Sequence, residues 1–386
     1  PGVPPPRPTH TRSDNLASKL QERGGGRRVV MRASRRLLAS TDEEAVVAPG
    51  NRRWSLRRRL TVALSGFGGL AIITLTVAPL LGPTPIGLGR VFDTSIPFAD
   101  NVDAQIFFIA RLPRALAGAL VGASLAVAGV VFQALLRNPL ATPFTLGVSA
   151  GASLGAMLVI TLGVPVAVSG IPAVPIASLL GSLGAAGVVY SMATLRHRGL
   201  STTVLLLAGV TLNSFFSAII MFVQYSADFT QTFQTVRWLM GNLDVSGFQP
   251  IVAALPLTGA AFAMFATLPR ALNLLTLGSD SAAARGVDVL RTQRVAFLSA
   301  SLATGAAVSL SGPIGFIGIV IPHLVRLIVG ADHRVVMPAS ACLGAAFLVG
   351  CDVVARTIMA PFELPVGVIT ALTGGPFFLW LLVRRQ

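Results

Sequence analysis

Long apolar runs recur from residue 60 to the end of the chain, and they constrain its fold more than any other feature. A helix needs roughly 20 apolar residues to cross the hydrocarbon core of a bilayer. Because lipid offers no hydrogen-bond partners, such runs must form helices that satisfy their own backbone groups. We therefore predict an all-α, polytopic transmembrane helical bundle of about ten helices. The predicted spans are residues 60–82, 115–136, 144–164, 171–195, 202–225, 249–268, 296–311, 314–329, 337–359 and 365–383.

The charged residues agree with a membrane protein and predict its orientation. Only 12% of the residues are charged, about half the share found in ordinary soluble domains, which excludes a soluble protein. Residues 1–59 hold 14 Lys and Arg against 5 Asp and Glu. They lack hydrophobic periodicity and are predicted to form a disordered basic cytoplasmic N-terminal tail, in which we expect Met31 to be the native start. With ten spans, both termini and the Arg196–Arg198 turn lie in the cytoplasm. The positive charges then face the cytoplasmic membrane surface, which explains them better than binding to nucleic acid would.

One long polar stretch interrupts the apolar part of the chain, from Leu268 to Arg294. Its Leu- and Ala-rich character predicts short helices, and the topology places it in the cytoplasm, where it would serve as a handle for another protein. The only lysine of the chain is Lys19. No Gly-rich phosphate loop ending in Gly-Lys-Ser/Thr can therefore exist, so any ATP that drives this protein is hydrolysed by another subunit.

Glycine and proline patterns indicate how the spans pack. Small residues at helical spacing, such as Gly118 and Gly122, let helix backbones approach closely and predict a tight bundle. The spans 296–311 and 314–329 are short, and Pro322 is expected to break the second of them. Cys342 and Cys351 lie on opposite faces of one helix and are expected to be packing residues.

The sequence contains no combination of residues typical of an enzyme or a metal site. Its four histidines are scattered, and a catalytic site normally gathers such groups. Arg111, Arg114 and Arg356 fall near the external ends of their spans, where they either anchor the helix ends at the interface or dock a partner. Asp352 and Arg356 are spaced to form an i, i+4 pair on one helix.

Four stretches carry a resemblance to a known family. They are RLPRALAGALVGASLAVAGVVFQALLRNPLATPFTLGVSAGASLGA at 111–156, LGSDSAAARGVDVLR at 277–291, GPIGFIGIVIPHLVRLIVGADHR at 312–334 and ELPVGVITALTGGPFFLWLL at 363–382. Together they closely resemble the iron-chelate and cobalamin permeases of bacterial ABC importers, the FecCD/BtuC-like family. The likeness covers about residues 60–386 and leaves out the tail.

The resemblance implies a permease subunit of the bacterial cytoplasmic (inner) membrane that forms a homodimer around the substrate path. Two cytoplasmic ABC ATPase subunits would bind ATP and Mg, and an external substrate-binding protein would deliver the substrate. The chain itself would hold no cofactor or metal and would be a transporter permease, not an enzyme. Ferric siderophore is the substrate we expect first, with haem or cobalamin as alternatives. An ion-coupled secondary carrier is the alternative of another class, for which Asp352 is the only candidate acid within a span.

The family's functional residues carry over to three groups of positions. Arg111, Arg114 and Arg356 match arginines that meet acidic residues of the binding protein. The polar stretch matches the coupling helices of the ATPase contact, where the expected residues are Gly278, Arg285, Gly286, Val287 and Asp288. The cytoplasmic gate corresponds to Asn138, Leu140, Ser201, Thr202 and Thr203, although these residue types also suit turns and helix caps. Asn213 and Gln224 either line the path or form hydrogen bonds between helices.

Overall fold

A computed structural model describes residues 55–163, 167–168, 171–194 and 201–384. The tail up to residue 54, with the expected start at Met31, and the Arg196–Arg198 turn lie outside these ranges. Thirteen helices of at least six residues follow one another in the described parts: α1 Leu56–Leu80, α2 Val102–Leu136, α3 Val148–Thr161, α4 Ala173–Thr194, α5 Thr202–Tyr225, α6 Phe229–Leu239, α7 Gln249–Thr267, α8 Pro269–Leu275, α9 Ser279–Ala284, α10 Val289–Ser311, α11 Ile317–Val329, α12 His333–Thr357 and α13 Val366–Arg384.

The predicted all-α bundle is confirmed, and each of the ten predicted spans coincides with a helix. Seven helices are long and apolar enough to cross a membrane, namely α1, α2, α4, α5, α7, α10 and α12. The shorter apolar helices are α3, α11 and the Val366–Trp380 part of α13. Between α3 and α4, Ala167–Val168 pairs antiparallel with Ile171–Pro172, and these are the only strands within the described ranges.

Two local predictions were wrong, and one helix was not predicted. The span expected at 296–311 is not short, because α10 already begins at Val289, where the Asp288 carboxylate accepts a hydrogen bond from Arg291 N and caps the helix. Pro322 does not break α11, which continues through it to Val329. The amphipathic helix α6 was missed, and its start is fixed by a capping box in which Asp228 and Gln231 bond reciprocally to each other's backbone N–H.

Helix α2 forms the centre of the bundle, and α12 packs along it. The two helices meet where Gly122 faces Gly344, and a Cβ at either glycine would collide with the backbone oxygen of the other. The same kind of contact joins Gly129 of α2 to Gly318 of α11. The sequence pattern of small residues therefore produces the close helix approach that it predicted.

Helix α2 also defines the two ends used below. Arg114 lies near the start of its regular part, Leu112–Leu136. Arg137 follows the last residue of the helix in a left-handed conformation with φ of 49°. At about 1.5 Å per residue these positions lie about 35 Å apart, close to the full thickness of a bilayer core. We call the corresponding ends of the bundle the Arg114 end and the Arg137 end.

Candidate functional site

A cluster of charged side chains occupies the Arg114 end. Arg114 Nε donates to Asp352 Oδ1 over 2.9 Å, and Arg114 Nη1 donates to Glu363 Oε2 over 2.7 Å. Asp352 Oδ2 lies 3.6 Å from Arg356 Nε, which confirms the expected i, i+4 pair on α12. The cluster therefore ties α2 to α12 and to the loop that follows α12.

Two further arginines lie beside this cluster and are buried inside the bundle. Arg356 is 2% exposed and donates through Nη2 to Ala78 O over 2.7 Å. Arg111 is 5% exposed and donates to the carbonyl oxygens of Pro79, Leu80 and Thr84. Both guanidinium groups thus bind the end of α1 and the chain just beyond it.

This placement changes what the three expected docking arginines can do. Arg111 and Arg356 are turned into the subunit, so neither reaches the surface where another protein would bind. The Arg114 side chain is 11% exposed, against 3% for that of Arg356. Of the three side chains, that of Arg114 is the one open to the surface of this end, and a docking role for any of them stays a prediction.

A cleft of about 520 Å³ opens beside the cluster, between α6 and the loop from α12 to α13. Glu363 belongs to its wall, so one side chain takes part in both the cluster and the cleft. The remaining lining residues are mostly apolar: Phe233, Val236, Arg237, Met240, Pro361, Phe362 and Pro365. The wall is thus amphipathic, with Arg237 and Glu363 as its charged members.

The polar segment at the Arg137 end forms two short helices, α8 and α9, as predicted. Helix α9 ends in a Schellman motif, in which Val287 N donates to Ala282 O over 3.1 Å and Gly286 N donates to Ala283 O over 2.9 Å. Gly286 has φ of +81°, a left-handed conformation that suits glycine. A fixed turn, exposed at Arg285, Gly286 and Asp288, therefore projects from the bundle.

Two contacts hold this segment to the long helices. Arg137 Nη2 donates to Ser279 Oγ over 3.2 Å, which joins the end of α2 to α9. Asn273 of α8 donates to Asp332 Oδ1 over 2.7 Å and accepts from His333 N over 2.9 Å, which joins α8 to the start of α12. A hydrogen-bonded ion pair with Arg334 holds the pKa of Asp332 well below its usual range, so this link stays charged.

The expected gate residues occupy a turn and a helix cap. Asn138 Oδ1 accepts from Leu140 N over 2.9 Å, and Leu140 is 45% exposed. Ser201 caps α5 by accepting from Val204 N over 3.4 Å, and Thr202 begins that helix, with Thr203 exposed. These bonds fit the turn and cap alternative, and their part in a gate stays a prediction.

For Asn213 the structure shows the second of the two alternatives. Its Nδ2 donates to Phe144 O over 2.8 Å and links α5 to the turn before α3. This bond between elements explains a polar side chain within an apolar span without assigning it to the path.

Three residues that organise the two ends have no clear signal in the sequence. Glu363 precedes a Leu-Pro pair, and nothing in that local sequence indicates that it pairs with Arg114, which lies 249 positions away. Asn273 looked like an ordinary polar residue of a short helix. The third is Gln133, which accepts from Arg326 and donates to Gly318 O over 2.9 Å inside the bundle. Only the polarity of Gln133 and Arg326 within apolar spans could have indicated this contact.

Comparisons with known proteins agree with this architecture. The model of the FecCD transport family matches residues 70–384. The cobalamin import system permease protein BtuC of Halobacterium salinarum is 45% identical over 72% of this chain and 73% of its own length. The hemin transport system permease protein HmuU of Yersinia pestis is 36% identical over 82% of this chain and 95% of its own. A solved ABC transporter in an inward-facing conformation is 32% identical with a TM-score of 0.70, over 84% of this chain and 99% of that one.

Proposed function

This chain belongs to the FecCD transport family and is an ABC transporter permease that crosses the membrane several times, and from that premise we propose how its two ends work. The Arg137 end lies in the cytoplasm, and in the two-copy permease two separate ATPase subunits bind the Arg137 ends. The Arg114 end faces outward and receives a substrate-binding protein. Two copies of the chain form the permease in the bacterial cytoplasmic membrane, with both termini inside.

The observation that carries this proposal is the exposed turn at Gly286 and its rigid attachment to α2 and α12. The Schellman motif fixes the turn, while the Asn273 and Arg137 contacts fix the helices that carry it. A rigid projection transmits a push from a partner to the long helices, whereas a flexible loop would absorb it. The ATPase then hydrolyses ATP, and this chain transmits the resulting movement as a rigid lever.

Arg114 gives the outer end its partner chemistry. Arginine stays charged at every physiological pH and pairs bidentately with carboxylates, so the group it suits is an acidic side chain of the binding protein. Arg111 and Arg356 add positive charge beneath it, which attracts the same partner before contact.

The substrate we propose first is a ferric siderophore, because ferric siderophores are the commonest substrates in the family that the sequence resembles. Cobalamin is the second candidate because a cobalamin permease is 45% identical to this chain, and haem the third because a hemin permease is 36% identical. All three are metal ions bound by a large organic ligand. A lever that moves whole helices can open a path wide enough for such a chelate to pass intact.

Uptake of labelled compounds tests the substrate. The permease would be expressed with candidate ATPase and binding-protein subunits from the same genome, in cells that lack their own chelate permeases. We expect accumulation of one radiolabelled chelate among ferric siderophores, haem and cobalamin. Uptake of cobalamin or haem alone would replace the first assignment, and uptake of none of them would overturn the substrate class.

A further inference from the structure

We propose that Glu363 is an exchangeable carboxylate, which holds the place on Arg114 that an acidic side chain of the external binding protein takes when it docks. The inference rests on the proposed docking at the Arg114 end. It adds a competitor within the permease itself, and it predicts that removing this competitor strengthens docking.

The charge balance of the cluster leaves room for another anion. Three arginines, Arg111, Arg114 and Arg356, face two acids, Asp352 and Glu363. Arg114 Nη2 is buried and has no hydrogen-bond partner, whereas Arg356 Nε already faces Asp352 Oδ2 at 3.6 Å. A buried guanidinium nitrogen without an acceptor is unfavourable, so a further carboxylate oxygen at this site would relieve an existing cost.

The two acids of the cluster differ in how firmly they are held. The side chain of Asp352 is 2% exposed and extends from within the packed helix α12, so it cannot leave Arg114 without disrupting that helix. The side chain of Glu363 is 40% exposed and belongs to the loop between α12 and α13. An ion pair with one exposed partner contributes little to stability and is readily replaced. Glu363 is therefore the member that an incoming carboxylate displaces.

The loop around Glu363 allows its side chain to move while the backbone stays anchored. Leu364 N donates to Ala355 O over 3.0 Å, directly after Glu363. The preceding part of the loop is open, since Ile358 is 63% and Phe362 74% exposed. Because Glu363 also forms part of the cleft wall beside α6, its release from Arg114 changes that wall at the moment of docking.

Binding measurements on the full permease in nanodiscs test the exchange. The probe is the extracytoplasmic binding protein that supports uptake with this permease, immobilised and titrated with wild type, Glu363→Gln and Arg114→Gln. Glutamine keeps the shape of Glu363 and removes its charge. We expect Glu363→Gln to bind about two- to fivefold more tightly, the effect of losing one partly exposed ion pair. Arg114→Gln is expected to bind more weakly.

Asp244→Asn is the matched control. Asp244 is an acid whose side chain is 67% exposed, and it pairs with Arg237 of the cleft over 3.3 Å without contacting Arg114. If Glu363→Gln acted only by removing negative charge from this face, Asp244→Asn would tighten binding equally. The exchange predicts that the control changes binding little and that Glu363→Gln has no effect in the Arg114→Gln background.

The outcomes separate this inference from the docking proposal. Unchanged binding in Arg114→Gln would overturn the docking site and the exchange with it. Weaker binding in Arg114→Gln, together with unchanged or weaker binding in Glu363→Gln, would overturn the exchange alone. Glu363→Asp provides a second test, because its shorter side chain keeps the charge but reaches Arg114 less well and should also tighten binding.

Discussion

Arg114 Nε lies 2.9 Å from Asp352 Oδ1, a contact that joins the two central helices α2 and α12 at one end of the bundle. At the other end the same two helices hold the α8–α9 segment through Arg137 and Asn273. Between these ends, Gly122 and Gly344 keep the helices in backbone contact. The pair α2 and α12 thus connects the proposed docking site with the proposed ATPase contact as one packed unit.

Asp352→Asn should destabilise the permease. The substitution leaves Arg114 and Arg356 beside a neutral side chain, and removing one partner of a buried ion pair costs about 3–5 kcal/mol. Thermal unfolding in detergent should show a lowered midpoint, while Asp244→Asn, which breaks an exposed pair, should leave the midpoint almost unchanged. Equal midpoints for the two variants would contradict the structural role of the cluster.

Gly122→Ala should disrupt the contact between α2 and α12. Its Cβ would collide with Gly344 O and force the backbones apart, a strain worth about 1–3 kcal/mol. Gly184→Ala is the matched control, because a Cβ at Gly184 in α4 meets no atom within 4 Å. That change should be neutral or stabilise the helix by up to about 1 kcal/mol. A stable Gly122→Ala protein with full uptake would show that the close packing is dispensable.

Gly286→Val should uncouple ATP hydrolysis from uptake, whereas Gly286→Asn should retain most coupling. Nothing within this chain lies within 4 Å of a Cβ at this position, so any effect on the permease itself comes from the backbone, which has φ of +81°. Asparagine tolerates this conformation and β-branched valine does not. The measurement is the ratio of substrate transported to ATP hydrolysed in the assembled complex. Equal ratios for the two variants would show that the shape of the turn does not matter.

Asn273→Ala should weaken coupling and leave docking intact. It removes the bonds to Asp332 and His333 that attach α8 to α12, each worth about 1 kcal/mol. Thr276→Ala is the control on the same segment, since its hydroxyl bonds only to Asn273 O of the same helix. We expect slower ATP-driven uptake in Asn273→Ala alone, with unchanged affinity for the binding protein. A loss of docking affinity would instead indicate that the whole fold is disturbed.

The periodic and local features of the fold were predictable from sequence, because apolar length determines where a helix can cross lipid. The Gly122 contact followed from the same pattern, since small residues at helical spacing permit close approach. The helix α6 escaped prediction because it lies outside any apolar run, and Pro322 was misjudged because α11 tolerates it among neighbouring helices.

The candidate site was harder to predict because its contacts are distant in sequence. Arg114 reaches Asp352 and Glu363 over 238 and 249 positions, and neither spacing leaves a local pattern. Sequence placed Arg111 and Arg356 at the same end as Arg114, where the structure has them, but gave no sign that the bundle buries them. Burial depends on how helices pack, and one charged residue near a helix end looks the same whether it faces solvent or a neighbouring carbonyl.

ATP-driven accumulation in proteoliposomes tests the central claim most directly. The vesicles would contain the permease with its ATPase subunits, with ATP supplied on the side of α8 and α9 and the loaded binding protein on the side of Arg114. The proposed function predicts accumulation that requires ATP on the α8–α9 side and disappears when the ATPase subunits are omitted. Accumulation that persists without the ATPase and collapses with an uncoupler would contradict it and identify an ion-coupled carrier.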